Sequence, residues 1–274
     1  MRKLNRAERL IQMVRTLIDR PGEQIPLGAF AEQFGAAKSS ISEDLRLIKE
    51  TLEADGIGLL KTHAGAAGGV QYWPTPSPAE GAQTIAELLA LMSDPARIMP
   101  GGFLYMADVL TNPQWCHRIG GMLAARFLGE QPDLVLTVEV SGVPLAVMVA
   151  QTLGVPLVVA RREGRPTQGS AFVSHYVTSS RRVQSMAVGL KSIPRGARVL
   201  IIDDFMKAGA TARGMIDLVT ELGAHVAGVG VFITTAEPER KRVEEYVPLL
   251  TLDAVDEEER TIRLRAAWMP EVKE

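Results

Sequence analysis

The chain has 274 residues, enough for one large domain or two of ordinary size. Hydrophobic residues make up 46% and charged residues 23%, as in a globular protein with an adequate core, and the net charge of −2 gives no overall bias towards nucleic acid or membranes. The single cysteine, Cys116, excludes an internal disulfide and argues against a cysteine-based zinc site. The lone cysteine fits the reducing cytoplasm, where we expect the protein. The apolar stretch at residues 142–160 is interrupted by glutamine, glycine and proline, so we expect no membrane span there.

Alternating prolines mark the clearest boundary in the chain. Residues 73–78 read Trp-Pro-Thr-Pro-Ser-Pro, which favours an extended, stiff segment and cannot continue a helix or a central strand. We therefore predict a small domain over residues 1–74 and an α/β domain over residues 75–274.

The small domain has the pattern of three helices followed by a hairpin. Apolar residues at helical spacing predict a first helix over residues 6–19, and Pro26 begins a short second helix that runs to residue 34. The spacing of Ser40 and Glu43 is that of a capping box near the start of the third helix. That helix buries one stripe of side chains, formed by Ile41, Leu45, Ile48 and Leu52. Strands over residues 57–62 and 70–73, with a glycine-rich tip between them, complete the domain.

This order of elements predicts a winged helix-turn-helix that binds double-stranded operator DNA. In such modules the helix after the turn enters the major groove, where short hydroxyls and lysine can contact bases, and cations contact phosphates. The candidate DNA-binding residues are Arg2, Lys3, Arg6, Lys38, Ser39, Ser40, Ser42 and Arg46, with Gly68 in the wing tip. The same elements also fit a dimerisation or protein-interaction module, so that alternative stays open.

In the second domain, residues 198–211 carry the most specific chemical pattern. An aliphatic strand over residues 199–202 is followed by Asp203 and Asp204, a short loop, and a helical pattern that begins at Thr211. Ligands bind at the carboxyl ends of strands in open α/β sheets, and a helix N-terminus favours phosphate. Strand, acid pair and loop together predict a ribose 5-phosphate site, whereas a plain turn with an acidic strand end is the alternative. Further strands over residues 134–138, 156–161, 225–235 and 246–252 predict a mostly parallel sheet.

Residues 198–211 resemble the phosphoribosyl-diphosphate (PRPP) signature of the type I phosphoribosyltransferase family. The resemblance implies that the two acids bind the ribose 2- and 3-hydroxyls and that residues 207–211 enclose the 5-phosphate. It also implies that the loop over residues 139–142 binds the diphosphate, with Mg²⁺ arriving on the ligand. No histidine spacing predicts a protein-only metal site. The implied effector-binding residues are Val140, Ser141, Gly142, Asp203, Asp204, Phe205, Met206, Lys207, Ala208, Gly209, Ala210 and Thr211.

A polar segment lies between the two loops. Arginines flank it at positions 161, 162, 165, 181 and 182. In the transferases a mobile loop in this region closes over PRPP. Whether these arginines contact diphosphate, DNA or only solvent stays open.

Over residues 4–265 the chain resembles the purine operon repressor family of Gram-positive bacteria (the PurR type). The segments that carry the resemblance are residues 25–27, 37–45, 65–70, 97–102 and 200–209. It implies a homodimeric, non-catalytic repressor of purine biosynthesis and salvage genes, in which PRPP lowers the affinity for DNA. The loop over residues 139–142 looks more like that of xanthine phosphoribosyltransferase. A working purine (xanthine or adenine) phosphoribosyltransferase with an appended regulatory domain is therefore the alternative, and activation instead of repression also stays open.

Overall fold

The computed structural model describes residues 4–65, 68–162, 170–178 and 182–268. The N-terminal part combines helices with a small antiparallel sheet in the order β1-β3-β2. Its elements are α1 (Arg6–Asp19), β1 (Ile25–Pro26), α2 (Leu27–Phe34), α3 (Lys38–Asp55), β2 (Ile57–His63) and β3 (Gly69–Pro76). The predicted winged helix-turn-helix architecture is therefore confirmed, with β1 as an element that the sequence pattern did not indicate.

Local sequence explains where these helices begin. Asn5 and Glu8 form a complete capping box at the start of α1, in which each side chain accepts a hydrogen bond from the other residue's backbone N–H. Helix α2 ends at Gly35, whose φ of 59° is left-handed, and three residues later α3 begins. The capping box expected at Ser40 is wrong: the N-cap of α3 is Ala37, which places Ser40 inside the first turn, where its side chain cannot cap.

The core of the N-terminal domain is built from its own elements. Met13, Leu17, Phe30, Ile41 and Leu45 are all at most 2% exposed. They pack together with buried residues of β1, β2 and β3 in one cluster. The apolar stripe predicted for α3 is thus confirmed as the face that holds the recognition helix on the domain.

The proline-rich segment continues β3 instead of leaving the sheet. Pro76 pairs with Ile57 of β2, so the strand runs two residues past position 74. Strand β1 pairs with β3 at Gly69 and Val70, so the prolines of β3 face no strand on that side. Proline is tolerated there because its missing N–H interrupts no ladder. Ser77 then caps the following helix in a capping box with Glu80.

The C-terminal domain is an α/β fold around a six-stranded sheet in the order β13-β12-β11-β10-β6-β7. All neighbouring pairs are parallel except β12 and β13, which confirms the mostly parallel sheet. The helices are α4 (Pro78–Met92), α5 (Ala107–Leu110), α6 (Pro113–Phe127), α7 (Val143–Leu153) and α8 (Ala210–Glu221). The strands are β4 (Ile98–Met99), β5 (Phe103–Leu104), β6 (Leu134–Val138), β7 (Leu157–Ala160), β8 (Ala171–Val177), β9 (Val183–Gly189), β10 (Arg198–Met206), β11 (His225–Thr235), β12 (Val247–Asp256) and β13 (Thr261–Ala266).

Helices cover both faces of the sheet, as its apolar strands require. On one face Leu200 and Ile202 of β10 pack in a cluster with residues of α6 and α7. On the other face Val199 and Ile201 pack in a cluster with residues of α8 and the β8–β9 ribbon. Within the part of the chain that the structure describes, no helix is both long enough and apolar enough to cross a membrane.

Two expectations for this domain need correction. Strand β10 does not end before the acid pair; it runs through both acids to Met206, because Asp203, Phe205 and Met206 continue the ladder with β11. The segment expected as a mobile polar loop contains an antiparallel ribbon, β8 with β9. Part of that segment, including Arg165 and Arg181, lies outside the described residues.

Candidate functional site

The acid pair lies at the carboxyl edge of the central strand of the sheet. Asp203 is only 4% exposed, whereas Asp204 is partly exposed, and the backbone N–H of Asp204 donates to the Asp203 carboxylate at 3.1 Å. Burial, and then the charge of Asp204, raise the pKa of Asp203 well above its usual value. A buried carboxyl with a raised pKa beside a second acid is typical of a binding site and unfavourable for stability.

The loop after β10 leads into the N-terminus of α8. Gly209 is the N-cap of α8 with φ of 76°, and no side chain caps the helix. Its first-turn N–H groups are therefore available to an anion, and the helix dipole favours negative charge there. The loop is anchored from below: Arg242 N–H donates to the carbonyl of Ala208 at 3.0 Å, and the Thr234 hydroxyl donates to that of Met206 at 3.1 Å.

The predicted second loop adjoins the acid pair because β6 is the parallel neighbour of β10. Gly142 is the N-cap of α7 and again has no side-chain cap. A Cβ added to Gly142 would lie 3.5 Å from the backbone N of Asp204 and 3.1 Å from the Thr137 hydroxyl. That hydroxyl is buried and has no hydrogen-bond partner within the described structure. Glycine thus allows two backbone segments and a free hydroxyl to meet beside the acids.

The β8–β9 ribbon and Arg162 form the remaining walls. Arg162 and Gln184 line a cleft of about 250 Å³ together with the loop of residues 207–212, and a second cleft of about 580 Å³ with the loop of residues 139–141. The Glu139 carboxylate accepts a hydrogen bond from the Arg162 backbone at 2.8 Å. Because both clefts share these two side chains, the two loops and Asp203 belong to one elongated, polar site. Asp204 lines neither cleft but adjoins the site beside Gly142.

The predicted effector residues lie close together but differ in which cleft they line and in how exposed they are. Residues 207–212 line the smaller cleft together with Asp203, Phe205 and Met206, whereas Val140 and Ser141 line the larger one. Met206 is only 2% exposed and supports the loop from beneath, since its Sδ lies 3.4 Å from the position of a Cβ on Gly209. Gln184, Ser185 and Thr178 are lining residues that sequence reasoning missed, because only the ribbon pairing brings them to the site.

The predicted DNA-contacting residues of α3 form a surface at its N-terminal end. Lys38, Ser39, Ser42 and Arg46 are exposed, and Ser40 is half-buried. Because Ala37 provides no side-chain cap, the first N–H groups of α3 are open to a phosphate, as at α8. Gly68 lies in the wing between β2 and β3, and its N–H donates to the carbonyl of Gly65 at 2.9 Å. Arg2 and Lys3 lie outside the described residues.

Arg6 has a structural partner that its sequence position did not indicate. Its Nε donates to Asp44 at 2.9 Å, and Arg9 donates to the other oxygen of the same carboxylate at 2.6 Å. Asp44 is 1% exposed on the inner side of α3. Burial raises the pKa of Asp44, but the hydrogen bonds from Arg9 and Arg6 outweigh it and leave that pKa below its usual value. These contacts fix α3 against α1.

Comparisons with known proteins agree with both halves of this architecture. A family model described as "Bacterial purine repressor, N-terminal" matches residues 5–74, and one described as "Phosphoribosyl transferase domain" matches residues 106–263. The purine biosynthesis transcriptional repressor PurR of Bacillus subtilis (strain 168) is 42% identical over 264 residues, which cover 96% of this chain and 93% of that protein. The chain belongs to the PurR family.

Other relatives show how far the likeness extends. The purine biosynthesis transcriptional activator PurR of Lactococcus lactis subsp. lactis (strain IL1403) is 36% identical over 260 residues, covering 94% of this chain and 96% of that protein. The crystal structure of adenine phosphoribosyltransferase from Thermoanaerobacter pseudethanolicus matches with a TM-score of 0.52 at 22% identity, over 60% of this chain and 98% of that one. At this identity the second likeness concerns the fold alone.

Proposed function

We propose that this protein represses purine biosynthesis and salvage genes by binding their operator DNA as a homodimer in the cytoplasm, and that PRPP is the inducing effector. The observation that carries the proposal is the joining of two sites in one chain. A helix-turn-helix with an exposed, uncapped recognition helix precedes a phosphate loop with an adjacent acid pair. Two relatives that match over more than nine-tenths of their length are named as regulators of purine biosynthesis, one as a repressor and the other as an activator.

The effector site suits each part of PRPP. The uncapped N-terminus of α8 would bind the 5-phosphate, the acid pair would accept hydrogen bonds from the ribose hydroxyls, and the glycine-containing loop before α7 would bind the diphosphate. Arg162 lies in both clefts and supplies positive charge to the same ligand. Mg²⁺ would enter on the diphosphate, whose oxygens are ligands that it prefers.

Induction requires that PRPP bind the DNA-free form more tightly than the DNA-bound form. We expect the polyanionic ligand to oppose DNA binding, either through repulsion of operator phosphate or through a changed arrangement of the effector loops. By thermodynamic reciprocity, operator DNA then lowers the affinity for PRPP by the same factor that PRPP lowers the affinity for DNA.

The test compares operator binding with and without PRPP and Mg²⁺ in three variants. Asp203→Asn and Asp204→Asn should abolish the PRPP response and leave operator affinity in the absence of PRPP within about twofold. Asp133→Asn is the matched control. Asp133 is an exposed carboxylate at the opposite end of β6 and β10 from the acid pair, where it accepts a hydrogen bond from Arg198 N–H at 2.7 Å. A normal PRPP response in both acid-pair variants would show that the effector site is assigned wrongly.

A second candidate function is purine phosphoribosyl transfer, which the match of residues 106–263 to the transferase model supports. Incubation of the full chain with PRPP, Mg²⁺ and adenine, guanine, hypoxanthine or xanthine measures it as diphosphate release. We expect PRPP to bind without turnover. Sustained release that depends on one base and disappears in Asp204→Asn would establish an enzyme instead of a sensor.

A further inference from the structure

The two domains meet backbone to backbone at one turn. A Cβ added to Gly154, just after α7, would lie 1.8 Å from the carbonyl oxygen of Pro21, and one added to Gly22 would lie 2.2 Å from that of Leu153. Both glycines have φ of 71°, the left-handed region that other residues rarely adopt. No side chain fits between these segments, so any displacement of the end of α7 must move the turn or separate from it.

The other end of α7 belongs to the effector site. Gly142 is its N-cap and lies beside Asp204, in the loop assigned to the diphosphate. The helix has 11 residues and is therefore about 16 Å long. Its middle packs closely on α6, where a Cβ added to Gly120 would lie 2.7 Å from the Cβ of Met148. One rigid element thus reaches from the effector loop to the border of the DNA-binding domain.

The turn is firmly bound within the DNA-binding domain. Gly22 N–H donates to the carbonyl of Tyr72 at 2.8 Å, and the Gly22 carbonyl accepts from the Gln71 side chain at 2.6 Å. Both partners are on β3, which leads to the wing. On the other side, α1 ends at Asp19, two residues before the turn, and α1 holds the recognition helix through Asp44. A movement of the turn therefore acts on both DNA-contacting elements.

The remaining border combines a second contact with an open cleft: α6 packs on β3, where a Cβ added to Gly121 would lie 3.3 Å from Cδ of Pro76. A cleft of about 380 Å³ separates the domains beside this contact, lined by Tyr72, Pro74, Pro76, Glu80, Thr84 and Arg118. The cleft leaves space beside the contact, so a displacement of the turn can be taken up there.

We propose that α7 transmits effector binding to the DNA-binding domain through the contact of Leu153–Gly154 with Pro21–Gly22. This inference rests on the proposed function and adds the structural element that couples its two sites. Binding of diphosphate at the N-terminus of α7 shifts the helix, and the contact passes that shift to the turn, β3 and α1.

Gly154→Ala tests the contact in the full chain. Its methyl group pushes the turn away, so we expect PRPP to bind with wild-type affinity in calorimetry but to lose its effect on operator affinity. In the wild type we expect PRPP to weaken operator binding by a factor in the usual coupling range of about 5–150-fold. In Gly154→Ala, the operator affinities with and without PRPP should differ by less than about twofold. Gly196→Ala is the matched control, because Gly196 has φ of 78° and nothing lies within 4 Å of its added Cβ.

The outcomes separate the two levels of the argument. A wild type that binds PRPP and operator DNA without any coupling overturns the proposed function and this inference with it. A wild type that responds, with an equal response in Gly154→Ala, overturns the inference alone. Should Gly154→Ala not fold, hydrogen exchange of the wild type decides: PRPP must change amide protection at residues 17–25 as well as at 207–211, and protection confined to 207–211 contradicts the proposal.

Discussion

Replacing Asp44 with asparagine measures how strongly one buried carboxylate holds the recognition helix. Asp44 is 1% exposed, the side chain of Arg9 is 15% exposed and that of Arg6 is 58% exposed. A hydrogen bond between charged partners contributes about 1.5–3 kcal/mol when buried, whereas an exposed pair contributes about 0–1 kcal/mol. Asparagine can still accept one weaker bond from Arg9, so we expect a net loss of about 2 kcal/mol, or about 30-fold in the local folding equilibrium.

Native-state hydrogen exchange of the full chain is the suitable assay, because the two domains need not unfold together. The amides of Leu45 and Ile48 report on α3 directly, since both residues are buried in that helix. Glu50→Gln is the control on the same helix. It removes the same charge from an exposed pair with Arg46 and should lower the free energy of opening by only about 0.5 kcal/mol.

The result that refutes this reasoning is a loss in Asp44→Asn no larger than that in Glu50→Gln. The pH dependence gives an independent check. Because the pKa of Asp44 is lowered by folding, its stabilisation is fully present above the unfolded value of about 3.9 and is lost as the pH falls through the folded pKa. The difference between wild type and Asp44→Asn should therefore be constant near neutral pH and shrink below about pH 4.

Three further predictions concern the two sites. Lys38→Gln should weaken operator binding and, if the contact is to one phosphate, reduce the slope of log affinity against log salt by about 0.9; an unchanged slope in a salt titration speaks against it. At pH values above about 4, Asp203→Asn should raise the thermal unfolding midpoint. Folding raises the pKa of Asp203, so the wild type must take up a proton or bury a charge when it folds, and the variant avoids that cost; thermal scans across pH that show no gain contradict this. Gly209→Ala should weaken PRPP binding about 5–30-fold in calorimetry, since a left-handed φ of 76° costs a residue with a Cβ about 1–2 kcal/mol, which the free loop relaxes and PRPP binding must restore; Gly196→Ala, equally strained but outside the site, should bind normally.

The elements predicted best are those whose signal is local. The bounds predicted for α1, β6 and β11 agree with the structure, because apolar periodicity and flanking glycine or proline fix them within a few residues. The pairing of the acid pair with the loop before α7 was implied by the resemblance to the transferase family, and the structure brings the two together because β6 and β10 are parallel neighbours that end at the same edge of the sheet. The buried stripe of α3 was also predicted correctly from the helical spacing of its apolar residues.

Contacts between distant residues could not be read in the same way. Arg6 looks like a free cation in the sequence, yet its partner Asp44 is 38 residues away. Gln184 and Ser185 reach the effector site only because β9 pairs with β8. The extension of β10 through two acids also goes against strand propensity, and its ladder with β11 supplies the backbone hydrogen bonds that make it possible.

The helices of this fold differ in whether a side chain caps their N-terminus. Among the described helices of eight or more residues, side chains cap α1, α4 and α6. The starts of α4 and α6 are not part of either proposed site, whereas α1 begins at Arg6, a predicted DNA-binding residue. The starts of α3, α7 and α8, which we assign to DNA and PRPP phosphates, have no such cap, and neither does that of α2. The sequence pattern began α8 at Thr211, one residue late, and the serines near the start of α3 suggested a capping box that is not there.

The self-contained core of the N-terminal domain has a consequence for synthesis of the protein. Its buried cluster draws only on residues 10–72, so every apolar partner is translated before the roughly 200 residues that follow them in this sequence. At about 5–20 residues per second, that remainder takes on the order of 10–40 s. During this interval the nascent chain already contains every apolar residue of the N-terminal core, whereas the strands and loops of the proposed PRPP site have not yet been made.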